Sequence, residues 1–168
     1  MQTLVLGGGC FWCLEAVYQQ VKGVDKVVSG YAGGTTKNPT YENIGDHAEV
    51  IQITYDPSLI TLATLLEIFF AIHDPTTLNR QGNDEGEQYR SIILCAENEL
   101  DVVRASRDIA QKNWQDPIVT EIETLDTFYP AENYHQNYYQ NNQSAGYCQI
   151  IINPKLDKFK ENFKHILK

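Results

Sequence analysis

The sequence predicts a sandwich built around one sheet, of the α/β or α+β class, and three observations predict it. Segments with the period-2 alternation of strands interleave with segments of helical spacing along the chain. Of 168 residues, 42% are hydrophobic and 11% aromatic, enough to bury one sizeable core. No internal repeat or clear linker divides the chain, so residues 1–168 read as a single domain.

The elements follow in order. Thr3 to Leu6 is a short apolar run that breaks at Gly7-Gly8-Gly9, which predicts a buried strand entering a turn. From Cys10, the residues Phe11, Leu14, Val17 and Val21 keep helical spacing until Gly23 stops them. Lys26 to Tyr31 reads as a strand and Ala32 to Pro39 as a Gly- and Pro-containing loop. Glu49, Ile51, Ile53 and Tyr55 alternate with Val50, Gln52 and Thr54 in a strand ending at Asp56-Pro57. Leu62, Leu65, Leu66 and Phe69 outline an amphipathic helix that stops near His73-Asp74-Pro75. Thr76 to Glu87 is a polar loop, Tyr89 to Cys95 a strand, and Glu97 to Trp114 a charged surface helix. Ile118 to Leu125 is a weaker strand pattern. Beyond Pro130 a tract crowded with Asn, Gln and Tyr has neither period, and Leu156, Phe159, Phe163 and Ile166 mark a terminal helix.

Charge and cysteine usage narrow the function. With 13 basic against 22 acidic residues the net charge is -9, and no long basic run is present; binding to nucleic acid or an anionic membrane is excluded. The four cysteines, Cys10, Cys13, Cys95 and Cys148, are too few and too unevenly spaced for a disulfide-stapled secreted module. The N-terminus lacks a basic region followed by an apolar core, and no stretch approaches the roughly 20 apolar residues of a membrane span. A reducing, cytoplasmic home is the expectation. There, a Cys-x-x-Cys pair signals redox or metal chemistry. Zinc would need a second matched ligand pair, whereas His47, His73, His135 and His165 are scattered. No metal and no cofactor is expected.

Two effects converge on Cys10. A residue at a helix N-terminus faces unpaired N–H groups and the positive end of the helix dipole, which favour a thiolate. Glycines beside it let another group approach closely. Cys10 is therefore a candidate nucleophile with a lowered pKa, the alternative being a buried thiol in a tight turn. Phe11 and Trp12 project about 100° apart, so at least one lies at the mouth of the turn as an apolar wall. Cys13, three residues on, is close enough on a helix for a disulfide. Cys95 ends the apolar run Ile92-Ile93-Leu94 and reads as a structural thiol. Glu49 shares a strand face with Ile51 and Ile53, which would turn its carboxyl to apolar surroundings where it holds a proton near neutrality, the alternative being a solvated carboxyl at a frayed strand end.

The motifs Gly9-Cys10-Phe11-Trp12, Gly30-Tyr31-Ala32-Gly33-Gly34, Asn38-Pro39-Thr40-Tyr41, His47-Ala48-Glu49 and Arg80-Gln81-Gly82-Asn83-Asp84 resemble those of the peptide methionine sulfoxide reductase A family. So do Gln88-Tyr89-Arg90-Ser91, Tyr134-His135-Gln136 and Gly146-Tyr147-Cys148, all in the family's order. The expected fold is then α+β, a two-layer sandwich with a mixed central sheet flanked by helices and an extended C-terminal arm. The resemblance implies reduction of methionine S-sulfoxide, free or in proteins. It assigns Cys10 as nucleophile, Glu49 as acid, Tyr41 and Tyr89 as donors to the sulfoxide oxygen, and Asp84 to the supporting polar network. Phe11 and Trp12 would hold the S-methyl group, with Tyr138 and Tyr147 near the pocket. Cys148, in a mobile arm around residues 141–150, would resolve the sulfenic acid, and thioredoxin would reduce the disulfide. Cys13 is open: it resolves Cys10 itself, relays oxidation, or takes no part. A monomer is expected. Two rivals remain at this level: thioredoxin-like dithiol exchange, which leaves Glu49 and the tyrosines idle, and a module that binds oxidised methionine without turnover.

Overall fold

A computed structural model describes residues 1–168. Strand β1 (Gln2–Gly7) runs through the centre of a six-stranded sheet and leads into helix α1 (Phe11–Tyr18). Strands β2 (Val24–Ala32) and β3 (Ala48–Tyr55) follow, then helix α2 (Leu62–Ile72). A small hairpin, β4 (Arg80–Gln81) and β5 (Asp84–Glu85), precedes β6 (Ile92–Cys95), helix α3 (Leu100–Gln111) and β7 (Glu121–Thr124). The chain ends with β8 (Tyr129–Pro130), a short helix α4 (Tyr138–Asn141), a wide π turn at Cys148–Ile152 and helix α5 (Asn153–Asn162).

The sheet order is β7-β6-β1-β3-β2-β8. β7 pairs parallel to β6 and every other pair is antiparallel, so the sheet is mixed as expected. Alternation sorts the side chains onto two faces. Leu4, Leu6, Ile51, Ile53 and Tyr55 enter one large core with α1, α2, Val103 of α3 and Phe159 of α5. Val5, Val50, Ala48, Ile92 and Leu94 face the other way, under Leu125 and Phe128 of the β7–β8 connection. Helices cover one face and a loop the other, which makes the sandwich two-layered. Helix α2 is bounded locally: the Thr61 side chain accepts the Thr64 N–H at 3.1 Å, a cap worth about 1 kcal/mol, and Pro75 blocks continuation. No helix is long and apolar enough to cross a membrane. Cys95 is buried, as a structural thiol should be.

Several expectations need correction. Helix α1 stops at Tyr18, before Gly23, because Lys22 donates to the Ile166 carbonyl and Val21 bridges Leu167 of the returning C-terminus. Tyr89 is not in β6; it ends a 3-10 turn, Glu87–Tyr89, that holds its side chain clear of the sheet ladder. The charged helix begins as a 3-10 turn at Glu97–Glu99 and ends at Gln111. The polar loop contains the β4–β5 hairpin, and β8 had no sequence signal at two residues long.

The topology sets the site. β1 and β3 are antiparallel with Leu6 opposite Ile51, so the exit of β1 and the start of β3 meet at one sheet end. The turn carrying Cys10 therefore lies beside Glu49.

Candidate active site

Cys10 is the N-cap of α1, in extended conformation at φ -65° and ψ 127°. Gly9 before it has φ +93°, and a Cβ there would stand 2.7 Å from Gln81 Cγ. A Cβ at Gly8 would stand 2.9 Å from the His73 ring. The turn thus rests against two side chains that leave no room for a third. Both supports are fixed. Gln81 accepts the Asp74 N–H at 2.8 Å and donates to the Asp74 carbonyl at 2.9 Å. His73 donates from Nδ1 to the Phe69 carbonyl at 2.5 Å and accepts the Ser91 hydroxyl at Nε2, 2.8 Å away. Burial pulls the His73 pKa down to about 4, so it stays a neutral prop.

Glu49 is 1% exposed. One carboxyl oxygen accepts the Phe11 N–H at 3.3 Å, and the other accepts Gln88 Nε2–H at 3.1 Å. Burial pushes its pKa up to about 7, against these two hydrogen bonds and with help from the charges of Asp84 and Cys13. The strand-face reading of Glu49 agrees with this placement. Tyr41 and Tyr89 are half-buried, and burial followed by the charge of Glu49 pushes both phenols up, Tyr41 to about 12. Both remain hydroxyl donors at neutral pH. Asp84 sits in β5 and forms no hydrogen bond to either tyrosine or to Glu49; Gln88 supplies the direct polar contact instead.

The wall around Cys10 is aromatic. Phe11 is fully buried and Trp12 half-buried, so one of the pair lies at the mouth, as their angular separation requires. Tyr138 stacks flat on Trp12, ring centres 3.8 Å apart and 8° from parallel, and Tyr147 meets the indole edge-on at 5.5 Å. Two residues that local pattern did not single out complete the wall. Trp12 Nε1–H donates to Nδ1 of buried His135 at 3.1 Å, while His135 packs on Phe11 and Tyr41 at 5.1 and 4.6 Å. Burial lowers the His135 pKa, which keeps that acceptor nitrogen free of a proton. Glu132 accepts the Tyr41 N–H at 3.2 Å and the Tyr31 hydroxyl at 2.9 Å, fixing the backbone under Tyr41. Only their positions in or beside the Tyr134-His135-Gln136 motif could have flagged them.

The thiols correct one expectation. Burial pushes the Cys10 thiol well above its ordinary range, and the neighbouring Cys13 and Glu49 charges add to it. Desolvation of the sulfur outweighs the helix N-terminus, whose effect on exposed groups is about 1 kcal/mol or less. Cys13 moves the opposite way, to about 7, chiefly because the Cys10 thiol hydrogen-bonds to it. The two form a dithiol that gives up one proton near neutrality and holds the second. Cys13 also lies in an apolar cluster with Ala16, Cys148 and Ile152, and its sulfur is 3.9 Å from the Tyr147 hydroxyl. Cys148 is fully buried there, and Cys10 packs against the same cluster. Cys13 acts on both other sulfurs: it shares a hydrogen bond with Cys10, and its charge adds to burial in raising the Cys148 thiol.

Residues 2–167 match the family model described as Peptide methionine sulfoxide reductase. The chain is 54% identical to the peptide methionine sulfoxide reductase MsrA of Chromobacterium violaceum, over 99% of each chain. It is 53% identical to the MsrA of Acinetobacter baumannii, over 100% of this chain and 99% of that one. Among solved structures, Mxr1 from Saccharomyces cerevisiae in reduced form superposes with a TM-score of 0.83 at 36% identity, covering 88% of both chains. Mxr1 in complex with Trx2 superposes with a TM-score of 0.61 at 31% identity, covering 82% of this chain and 84% of that one.

Proposed function

The chain belongs to the peptide methionine sulfoxide reductase family, and we infer that it is an oxidoreductase reducing methionine S-sulfoxide, free or in proteins, to methionine. The observation that carries the mechanism is the pairing of a proton-holding carboxyl with the Cys10 turn through the Phe11 N–H.

Oxide is a very poor leaving group, so sulfur attack on a sulfoxide needs a proton on the departing oxygen. The Cys10 sulfur attacks the sulfoxide sulfur, and its own proton passes to the Cys13 thiolate. Glu49 protonates the oxygen as the S–O bond breaks, and Tyr41 and Tyr89 hydrogen-bond the charge growing there. The hydroxide released then bonds to the Cys10 sulfur, the new sulfur–sulfur bond breaks with its electron pair going to methionine, and methionine departs, leaving Cys10 as a sulfenic acid. Phe11 and Trp12 grip the S-methyl group and keep water off the carboxyl, with Tyr138 and Tyr147 closing the wall and the Asp84 charge helping to hold the Glu49 proton.

The Cys148 thiol then displaces hydroxide from Cys10, which leaves as water and forms a disulfide. Thioredoxin dithiol reduces that disulfide, returning two protein thiols and oxidised thioredoxin. The cycle must start from reduced thiols, which suits a cytoplasmic setting. The interaction of Cys13 with both other sulfurs favours a second reading, in which Cys13 attacks first and Cys148 then attacks Cys13. The arm around residues 141–150 moves in either case.

The test is a single turnover with methionine sulfoxide followed by mass mapping of disulfides. Wild type should yield one methionine and one disulfide per chain. Cys10→Ser should yield no methionine, and Cys148→Ser one methionine with the sulfenic acid retained. A Cys10–Cys13 bridge trapped in Cys148→Ser would establish the relay. Turnover by Cys10→Ser would end the proposal.

A further inference from the structure

Glu15 is a second buried carboxylate, 1% exposed, that the chemistry above does not use. It lies on α1 three residues after Trp12, on the same helix face. No cation pairs with it. One oxygen accepts the Ser29 hydroxyl at 3.3 Å; the other accepts the backbone N–H of Tyr138 at 3.2 Å, and the Asn137 amide also hydrogen-bonds the carboxylate. Burying an unpaired carboxylate is costly unless its lone pairs are filled, so these contacts must be specific. Asn137 is left-handed, at φ 54° and ψ 35°, and adjacent N–H groups around such a residue form a concavity that suits an anion. Gln19, one turn further along α1, donates to the Asn137 side chain at 2.7 Å.

These contacts fall where the chain leaves the sheet edge and begins its run to Cys148. We propose that Glu15 is a positioning residue that pins the root of the C-terminal arm to α1, and so sets how readily Cys148 is presented to the site. The same grip holds Tyr138 flat on Trp12. Beyond this root, up to the π turn at Cys148, the hydrogen bonds are mostly local, such as Asn142 Nδ2 donating to the Tyr138 carbonyl and Ala145 N–H to that of Asn142. The rest of the hold is packing of Tyr147 and Cys148 on Trp12 and Cys13. Losing Glu15 therefore removes the polar anchor at the root and loosens the arm on its remaining packing, while Cys10 and Glu49, held by the glycine turn and β3, stay in place.

This inference rests on Cys148 being the resolving thiol, and the experiment separates the two. Hydrogen–deuterium exchange is measured on wild type, Glu15→Ala, Glu15→Gln and Ser29→Ala, with the lifetime of the Cys10 sulfenic acid followed by dimedone trapping after one turnover. Peptides spanning residues 137–148 should exchange about tenfold faster in Glu15→Ala, those of β1 and β3 at the wild-type rate. The sulfenic acid should persist about tenfold longer. Glu15→Gln, which keeps one acceptor oxygen, should restore part of both, and it carries the test if the alanine variant does not fold. Unchanged exchange in the arm in both Glu15 variants would overturn the proposal. If the arm loosens but Cys148→Ser loses its sulfenic acid as fast as wild type, the anchor stands and the assignment of Cys148 fails.

Discussion

Replacing Glu49 with Gln removes one proton donor and little else. The amide is the same size, its oxygen still accepts the Phe11 N–H, and Gln88 turns its own carbonyl to meet the new NH2 group. An ordinary glutamate, titrating at 4.5, is protonated in about one molecule in three hundred at pH 7; at about 7, where burial places Glu49, about half the molecules hold the proton. Wild-type methionine formation should therefore fall about tenfold per pH unit above pH 7. The Gln variant should be slower by about 10²–10⁴-fold, or ~3–5 kcal/mol of barrier, and should lack that basic limb. Stability separates this from a damaged fold. The folded pKa lies above the unfolded one, so the carboxyl's contribution to folding is complete below about 4.5 and is lost as pH rises through about 7, by about 3 kcal/mol. The Gln variant should thus be no less stable than wild type at pH 8 in urea. The assay is rapid-quench single turnover with methionine quantified against pH. A Gln variant with wild-type rate, or one whose rate still falls as pH rises through 7, would show that Glu49 is not the acid.

Four other outcomes follow from named contacts. Gln88→Leu removes a hydrogen bond that stabilises the Glu49 carboxylate, so the basic limb of the same pH profile should move up by about one unit. His135→Phe keeps a ring against Phe11 but deprives the Trp12 indole of its acceptor; KM for the sulfoxide should rise about fivefold with kcat less affected in steady-state assays. Gly9→Ala forces an alanine to φ +93° and against Gln81, costing about 1–3 kcal/mol in urea unfolding and displacing Cys10. Cys13→Ser removes the sulfur that shares a proton with Cys10, so iodoacetamide should alkylate Cys10 at pH 7 about tenfold more slowly or worse.

Local periodicity was enough for the parts of this protein that it encodes. Alternation through Glu49, Ile51 and Ile53 identified both β3 and the buried face that carries the Glu49 carboxyl, because a strand's faces are set residue by residue. The spacing from Phe11 to Val17 likewise gave α1 and put Cys10 at its start. What pattern could not supply was burial depth and distant partners. The helix terminus argued for a lowered Cys10 pKa, yet the sulfur's burial and the influence of Cys13 and Glu49 on it arise only in the folded chain. Gln88, His135, Glu132 and Glu15 act across 39, 123, 91 and 123 residues of sequence, so no window holds both partners. The tract after Pro130 lacked hydrophobic period for a physical reason as well. It folds by laying polar backbone and tyrosine rings over α1, with Glu15 and Trp12 as its partners, and not by packing an apolar stripe of its own.

On the roles proposed above, the titrations at the site also account for how one pocket keeps an acid and a nucleophile ready together. The dithiol's first proton and the Glu49 proton both leave at about pH 7. The Glu49 charge raises the Cys10 thiol, and the Cys13 charge raises Glu49, so each ionisation opposes the other. Near neutrality the coupled set holds a single negative charge, divided between the sulfurs and the carboxyl. Only the arrangement with the charge on sulfur and the proton on Glu49 can react. A sulfoxide brings the negative end of its S–O dipole towards Glu49, where it favours the protonated carboxyl and drives the charge onto sulfur. Substrate binding therefore selects the reactive arrangement from two of similar energy, and neither group needs an extreme pKa of its own to do its part.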